Sequence, residues 1–108
     1  MDPSQFVIVL TTFPVDEDAN TLARTLVSER LAACVNVLPA MTSVYRWKGS
    51  VEEDREHQLV MKTTRDRVPA LEARLRALHP YEVPEFLVLD VASGSEAYLS
   101  WLWESVRP

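Results

Sequence analysis

The sequence predicts an α+β fold, and three observations support that prediction. Two apolar runs, residues 6–12 and 86–91, have the length and β-branched content of buried strands. Residues 33–64 are rich in β-branched and aromatic side chains around a glycine, which is typical of one long β-hairpin. Apolar residues recur at helical spacing in the intervening segments. Strands and helices therefore alternate along 108 residues, the length of a single domain covering residues 1–108.

The first helix is predicted over residues 16–31, directly after the first strand. Asp16 is its expected N-cap, because a carboxylate can accept hydrogen bonds from the unpaired amides of the first turn. Its buried face is expected to hold the apolar residues at helical spacing, which are Ala19, Leu22, Ala23, Leu26 and Val27.

The hairpin is predicted to turn at Lys48 and Gly49, with two arms of about 15 residues that would each extend about 50 Å. A domain of this length has a diameter of about 35 Å. The tip therefore needs cover from another copy of the chain. Residues 52–56 are mostly acidic, so this part of the second arm is expected to be solvated.

A two-residue turn fixes the register of the hairpin. It places Trp47 opposite Ser50 and, if the ladder continues unbroken, Cys34 opposite Thr63. Pro39 cannot donate a ladder hydrogen bond, so a bulge there would shift the far pairs by about one residue.

Two more helices are predicted in the second half of the chain. Asp66 is the expected cap of the second helix, Pro69 is tolerated in its first turn, and Pro80 ends it. Its predicted buried stripe is Val68, Leu71, Leu75 and Leu78. Ser95 is the expected cap of a final helix whose buried side would hold Tyr98, Trp101, Leu102 and Val106.

The resulting order is β-α-β-β-α-β with an extra C-terminal helix, which is the ferredoxin-like pattern of an antiparallel sheet. Its first and third strands are central and its helices cover one face, so the other face is left bare. Tyr45 and Trp47 share one face of the hairpin. These aromatics, together with Trp101, are the predicted interface residues of an oligomer.

The composition limits the classes of partner. The formal net charge is −5 and no Lys/Arg run is present, so neither nucleic acid nor a membrane is an expected partner. The early apolar run of five residues is too short for a signal peptide or membrane span. One cysteine, Cys34, excludes an internal disulfide and fits a cytoplasmic location. No phosphate-binding glycine loop or nucleophile elbow is present, so we expect no enzyme and no required cofactor.

Three polar residues have both a structural and a functional interpretation. His79 could cap the second helix, or be a functional side chain held by the stiff proline loop that follows. Glu85 could pair with a nearby base, or form a cluster with His79 and Lys62 for a small anion or metal. Asn36 could fix the strand register or point into an intersubunit pocket.

Cys34 is treated in the same way. A cysteine in an apolar arm usually behaves as a small buried hydrophobe, and the alternative is a ligand for a soft metal. Cys34, His57 and His79 are too scattered to predict a closed structural zinc site.

Five segments carry a resemblance that covers nearly the whole chain: LAACVN (31–36), SVYRWKG (43–49), KTT (62–64), HPYEVPE (79–85) and YLSWL (98–102). They resemble the motifs of the CutA family of divalent-cation tolerance proteins. The resemblance implies a ferredoxin-like homotrimer packed through its long hairpins, a cytoplasmic location, and a role in the response to copper and other divalent metal ions. It implies no enzymatic reaction.

The resemblance also bears on metal binding. Some relatives carry a cysteine at the end of the first strand and a second histidine before HPY, proposed as copper ligands, whereas this chain has Thr11 and Leu78 there. The metal candidates for Cu(II) or another divalent ion are therefore His79, Cys34 and Glu85.

Two alternatives to a metal-binding trimer remain open. One is a small-ligand or signalling trimer, whose intersubunit pocket would be lined by Asn36, Lys62, His79, Tyr81 and Glu85. The other is a non-catalytic assembly or anchoring module that depends on Tyr45, Trp47 and Trp101.

Overall fold

The computed structural model describes residues 2–108 and confirms the predicted ferredoxin-like α+β fold. Its strands are β1 (Phe6–Pro14), β2 (Cys34–Val37), β3 (Met41–Trp47), β4 (Ser50–Thr64) and β5 (Leu87–Asp90). Its helices are α1 (Ala19–Ser28), α2 (Val68–Leu78) and α3 (Glu96–Ser105), with short 3-10 turns at Pro3–Gln5 and Arg65–Arg67.

All strand pairs are antiparallel, and the sheet order is β2-β4-β1-β5 with β3 paired to the outer half of β4. β1 and β4 are therefore central, as predicted for the first strand and the second hairpin arm. Helices α1 and α2 cover one face, where Val9, Leu59 and Met61 are fully buried among Leu26, Leu71 and Leu75.

The opposite face of the sheet is only partly covered. We call it the open face, and it carries Ile8, Leu10, Val60, Leu87 and Leu89, which alternate with the core residues along their strands. Helix α3 packs against one end of it, in a second apolar cluster of Phe6, Ala33, Leu99, Leu102 and Val106.

The hairpin has the predicted turn and a one-residue register shift. Trp47 pairs with Ser50, and the ladder is interrupted at residues 38–40, around Pro39. Beyond that interruption Cys34 pairs with Lys62 rather than Thr63. The shift is the one that a bulge at Pro39 produces, because the bulged arm contains one extra unpaired residue.

The tip turn requires left-handed backbone at both central residues. Lys48 has φ 49° and Gly49 has φ 83°, which match the twist of the flanking strands. With the hairpin, the chain measures 45 Å along its longest axis, against 26 and 24 Å along the others.

The predicted caps of the first two helices are wrong. α1 begins at Ala19, after a turn, and Asp18 rather than Asp16 accepts from the Thr21 amide at 3.0 Å. Asp66 lies in the 3-10 turn before α2 and caps no helix.

Asp66 instead fastens the C-terminal segment to this turn. It accepts a hydrogen bond from the Thr64 hydroxyl and two from the Arg107 guanidinium, at 2.7 and 3.0 Å. The bonds from Arg107 are the main reason that the pKa of Asp66 is lowered to about 2.

Apolar residues that were predicted to be buried are exposed at four places in the chain, one of which is Val27 of α1, 40% exposed. β5 lies at the sheet edge and all four of its residues are exposed, although its sequence is apolar. In α3 the inward residues are Leu99, Leu102 and Val106, so Tyr98 and Trp101 face outward. Leu78, at the end of α2, is exposed too. Because β5 has apolar residues on both faces, as a buried central strand does, its position at the edge of the sheet could not be recognised from its sequence.

Helix α1 ends in a Schellman motif with an unfavourable residue at its key position. The Leu31 amide donates to the Leu26 carbonyl at 3.0 Å, and the Arg30 amide donates to the Val27 carbonyl at 3.0 Å. Leu26 and Leu31 are both buried in the core, as the motif requires. Arg30 has φ 59°, a conformation that glycine adopts without the steric cost of a Cβ.

Replacing Arg30 by glycine should therefore stabilise the protein. We expect Arg30→Gly to raise the free energy of unfolding by about 1 kcal/mol, the approximate cost of a left-handed conformation for an L-residue. Urea denaturation at fixed protomer concentration measures the change. Arg30→Ala is the matched control: it removes the same side-chain contacts but keeps Cβ, so a comparable gain there would contradict the backbone explanation.

Candidate functional site

A groove of about 690 Å³ lies at the base of the hairpin and contains most of the polar residues discussed below. One wall is the face of β3 that carries Met41, Ser43, Tyr45 and Trp47, and the facing wall is the loop of residues 80–85. Glu56 and Gln58 of β4, Thr12 of β1 and Val44 of β3 also line the groove.

His79 lies behind this groove and fixes the start of the loop. Its Nδ1 accepts a hydrogen bond from the Tyr81 amide at 3.1 Å. Nδ1 is therefore unprotonated, and Nε2–H donates to the Thr12 carbonyl at 2.6 Å. Neither nitrogen has a free lone pair for a metal, and neither bonds a carbonyl of α2 as the helix-cap interpretation requires.

Aromatic packing and burial keep His79 neutral. Its ring lies between Phe13, at 5.1 Å between centroids, and Tyr81, at 4.7 Å. Burial lowers the pKa of His79, against smaller opposing effects of the Thr12 hydrogen bond and the Glu56 charge. The neutral His79 side chain therefore connects β1 to the loop through its two hydrogen bonds.

Glu56 is the buried acid of the groove. It is 7% exposed, which corrects the expectation that residues 52–56 are all solvated. It accepts a hydrogen bond from the Tyr81 hydroxyl at 2.9 Å. Burial, and then the bond to Glu56, raise the pKa of Tyr81, so the phenol stays protonated and remains a donor.

Glu85 is held at the other end of the loop by Gln58. The Gln58 amide nitrogen donates to the Thr11 carbonyl at 2.7 Å and to the Glu85 carboxylate at 3.0 Å. Glu85 is therefore paired with an amide rather than with a base. The bond engages one carboxylate oxygen of Glu85, and the Glu85 side chain lines the groove.

The aromatic wall is fixed in a similar way. The Tyr45 hydroxyl donates to Asp54, its diagonal neighbour across the hairpin, and this bond raises the pKa of Tyr45 to about 12. Near the tip, Lys48 Nζ lies 5.4 Å from the Trp47 ring centroid and 3.7 Å from a Glu82 carboxylate oxygen. The tip and the loop are thereby in contact.

The remaining candidates lie elsewhere on the open face. Cys34 and Asn36 are on β2, where Cys34 pairs with Lys62, four residues or about 13 Å along β4 from Gln58. The Cys34 thiol is 3.8 Å from the Asn36 side-chain oxygen, and Lys62 Nζ is 6.0 Å from the Tyr98 ring centroid. The five residues of the predicted pocket therefore do not all lie together within one chain, because Asn36 and Lys62 are outside the groove.

The metal candidates are separated as well. Glu85 lies in the groove, His79 lies behind it, and Cys34 is on the distant strand. Among residues 2–108 no group of three or more His, Cys, Asp or Glu side chains is close enough to hold a metal ion. Within the same residues, none of the helices has the length and apolar content that crossing a membrane requires.

Three residues that form or support the groove were not predicted as site residues: Glu56 and Gln58, which line it, and Asp54, which holds the Tyr45 hydroxyl. The hairpin register contains a signal for two of them, because alternation puts Asp54 and Glu56 on the same face as Tyr45. The Tyr81–Glu56 contact joins segments 25 residues apart, and no local pattern encodes it.

Comparisons with known proteins agree with the fold. The family model described as CutA1 divalent ion tolerance protein matches residues 7–105. A protein of Thermus thermophilus named divalent-cation tolerance protein CutA is 53% identical over 98 residues, covering 91% of this chain and 95% of its own. Mouse protein CutA is 44% identical over 100 residues, and the match spans 56% of its length.

Solved structures match over almost the full chain. The divalent cation tolerance protein (Cut A1) of Thermus thermophilus has a TM-score of 0.90 and 51% identity, with 94% of this chain and 99% of that one covered. CutA1 of Oryza sativa has a TM-score of 0.91 and 39% identity, with 98% of both chains covered.

The buried neutral His79 predicts an acid-labile step in stability. Because its pKa is lower in the native than in the unfolded chain, its contribution is complete above the unfolded value of 6.5. It is lost as the pH falls from 6.5 through the native pKa, since the unfolded state then binds the extra proton. Urea midpoints measured between about pH 8 and 5 should show this decline.

His79→Gln keeps an amide donor and cannot titrate, so its stability should change less over that range. His57→Gln is the control, because it leaves His79 in place and should retain the decline. An equal decline in the His79→Gln protein would show that another group is responsible.

Proposed function

Because this chain belongs to the CutA1 divalent ion tolerance family, we propose that it works as a non-catalytic homotrimer in the response to divalent metal ions. The proposed compartment is the cytoplasm, where Cys34 would stay reduced. His79 is unsuited to general base catalysis, since both its nitrogens are committed to structural hydrogen bonds.

The observation that carries the assembly proposal is the open face. On this face Leu87 is 54% exposed and Leu89 47%, and helix α3, which packs at one end of it, leaves Trp101 47% exposed, although such side chains favour burial. Monomeric proteins rarely present a contiguous apolar patch of this kind, and a larger one marks an interaction site. A second copy of the chain is the proposed cover.

The hairpin supports the same proposal. Tyr45 and Trp47 lie toward the tip of the hairpin, on the same side of the sheet as the open face, and are the proposed contacts at that end of the interface. The two sheet edges, β2 and β5, are both free within the described residues. Different edges can meet in a head-to-tail contact, which closes into a ring, and the family resemblance gives the number three.

The proposal also includes a specific metal, copper. In the protomer, His79 has no free lone pair, whereas Cys34 keeps a half-buried thiol and Glu85 a carboxylate oxygen. We therefore assign a copper site to Cys34 or Glu85, with further donors supplied by a neighbouring protomer.

The groove favours a second candidate function, the binding of a small ligand between subunits. Several polar groups line this one groove and are held in place by hydrogen bonds within the chain. Tyr81 and Glu85 of the predicted pocket line this groove directly, and Asn36 and Lys62 could join only across an interface.

A charge placed on the open face should disrupt the trimer. In Leu89→Glu, assembly would bury an unpaired carboxylate, so we expect the association constant to fall by about 100-fold or more. Sedimentation equilibrium over a range of protomer concentrations measures it. Val51→Glu is the matched control, because Val51 is also exposed and lies on the opposite face of the hairpin. Equal trimer populations in the two variants would contradict the proposed interface.

Copper titration should separate the candidate ligands. We expect saturable Cu(II) binding, measured calorimetrically, to weaken by about tenfold in Cys34→Ser or Glu85→Gln, since each removes one donor. His79→Ala should leave the affinity unchanged. A loss confined to His79→Ala would restore that residue as the ligand, and no binding tighter than about 10 μM would exclude a direct copper site.

A further inference from the structure

The groove at the base of the hairpin has a uniform charge. Its charged lining residues, among residues 2–108, are all glutamates: Glu56, Glu82 and Glu85. A cleft lined by one sign of charge concentrates its field and selects ligands of the opposite sign. The ligand chemistry indicated by charge alone is therefore cationic.

The aromatic lining narrows the class of cation. Tyr45, Trp47 and Tyr81 all border the groove. Hydroxyl bonds to Asp54 and Glu56 anchor the two tyrosine rings, which limits their motion. Aromatic faces attract ammonium groups through the ring quadrupole, and this attraction is the basis of organic ammonium recognition in proteins.

The side chain of Lys48 already places an ammonium group near the aromatic and acidic lining of the groove. Lys48 Nζ lies 5.4 Å from the Trp47 ring centroid and 3.7 Å from a Glu82 carboxylate oxygen. Both ends of this ion pair are more than 70% exposed, so the contact is weak and displaceable. An external ammonium group could take the same position.

The spacing of the acids argues for an extended ligand rather than a metal ion. A divalent metal needs several oxygen ligands converging within about 2.5 Å. The three glutamates are instead spread along the groove: Glu82 meets Lys48 at the tip end, whereas Glu56 and Glu85 bond to Tyr81 and Gln58 at the base. Apolar groups of Met41, Val83 and Pro84 line the same groove.

We propose that this groove binds an aliphatic polyamine. One ammonium group lies beside Glu82 at the tip end and another beside Glu56 and Glu85 at the base. The alkyl chain lies along the apolar groups that line the groove. This inference rests on the small-ligand alternative given above and names its ligand class. Lys48 competes for the tip-end position, so polyamine binding displaces it from Glu82 and Trp47.

Calorimetric titration of the full chain with spermidine at low ionic strength is the test. We expect saturable binding that weakens by about fivefold or more in Glu82→Gln and in Glu85→Gln, as each removes one ion-pair partner. Glu53→Gln is the matched control, because it removes the same charge from the opposite face of the hairpin and should bind as wild type does.

A second pair of variants tests the competition. Lys48→Ala should bind spermidine about two- to fivefold more tightly, since it removes the competing ammonium. Arg46→Ala makes the same change in net charge on the opposite hairpin face and should not tighten binding. Equal effects within either pair would indicate nonspecific attraction to an acidic protein and overturn the proposal, as would the absence of saturable binding.

Sedimentation of the same samples separates this inference from the assembly proposal. An intact trimer without spermidine binding rejects the polyamine site alone, and binding by a protein that does not assemble rejects the trimer alone. A trimer that loosens in Glu82→Gln without binding spermidine would mean that the acids receive a cation from a second copy of the chain, which also overturns the proposal.

Discussion

One constraint organises the molecule: a single strand of fifteen residues, β4, supplies the pairing partner for three others. Its inner half is paired on both sides, to β1 and β2, and its outer half pairs with β3. The register along β4 therefore decides which side chains face the helices and which face outward. Glu56 and Gln58 line the groove because they occupy outward positions of the strand whose Leu59 and Met61 form the core.

The sequence predicted the parts of the fold that local chemistry determines. Glycine at position 49 fixed the turn, and alternation then placed Trp47 opposite Ser50. Pro39, which cannot donate, indicated where the register would shift. Helix limits were less accurate, because Asp16 and Asp18 offer similar capping chemistry and only the path of the preceding turn distinguishes them. The exposure of β5 could not be predicted, since an exposed apolar edge strand has the same sequence pattern as a buried strand.

Part of the groove could be predicted, because some of its residues belong to a segment with a recognisable local sequence. The stiff loop of residues 79–85 was identified as important, and Tyr81 and Glu85 do border the groove. The role of His79 depends on two hydrogen-bonding partners, the Tyr81 amide, which donates to it, and the Thr12 carbonyl, which accepts from it. The latter lies 67 residues away along the chain. Such contacts exist only after the sheet has formed, so residue type alone could not show whether His79 makes structural hydrogen bonds or coordinates a metal ion.

The pairing of β1 with β4 also has a consequence for how the chain folds. Phe6 pairs with Thr64, 58 positions further along the chain (64 − 6), so the central ladder closes a long loop. Closing such a loop costs entropy before any contact compensates for it, and folds rich in distant pairings fold slowly. The β3–β4 hairpin and helix α1 are local and can form first. During synthesis β1 must wait, with its apolar residues exposed, until the whole second arm has left the ribosome.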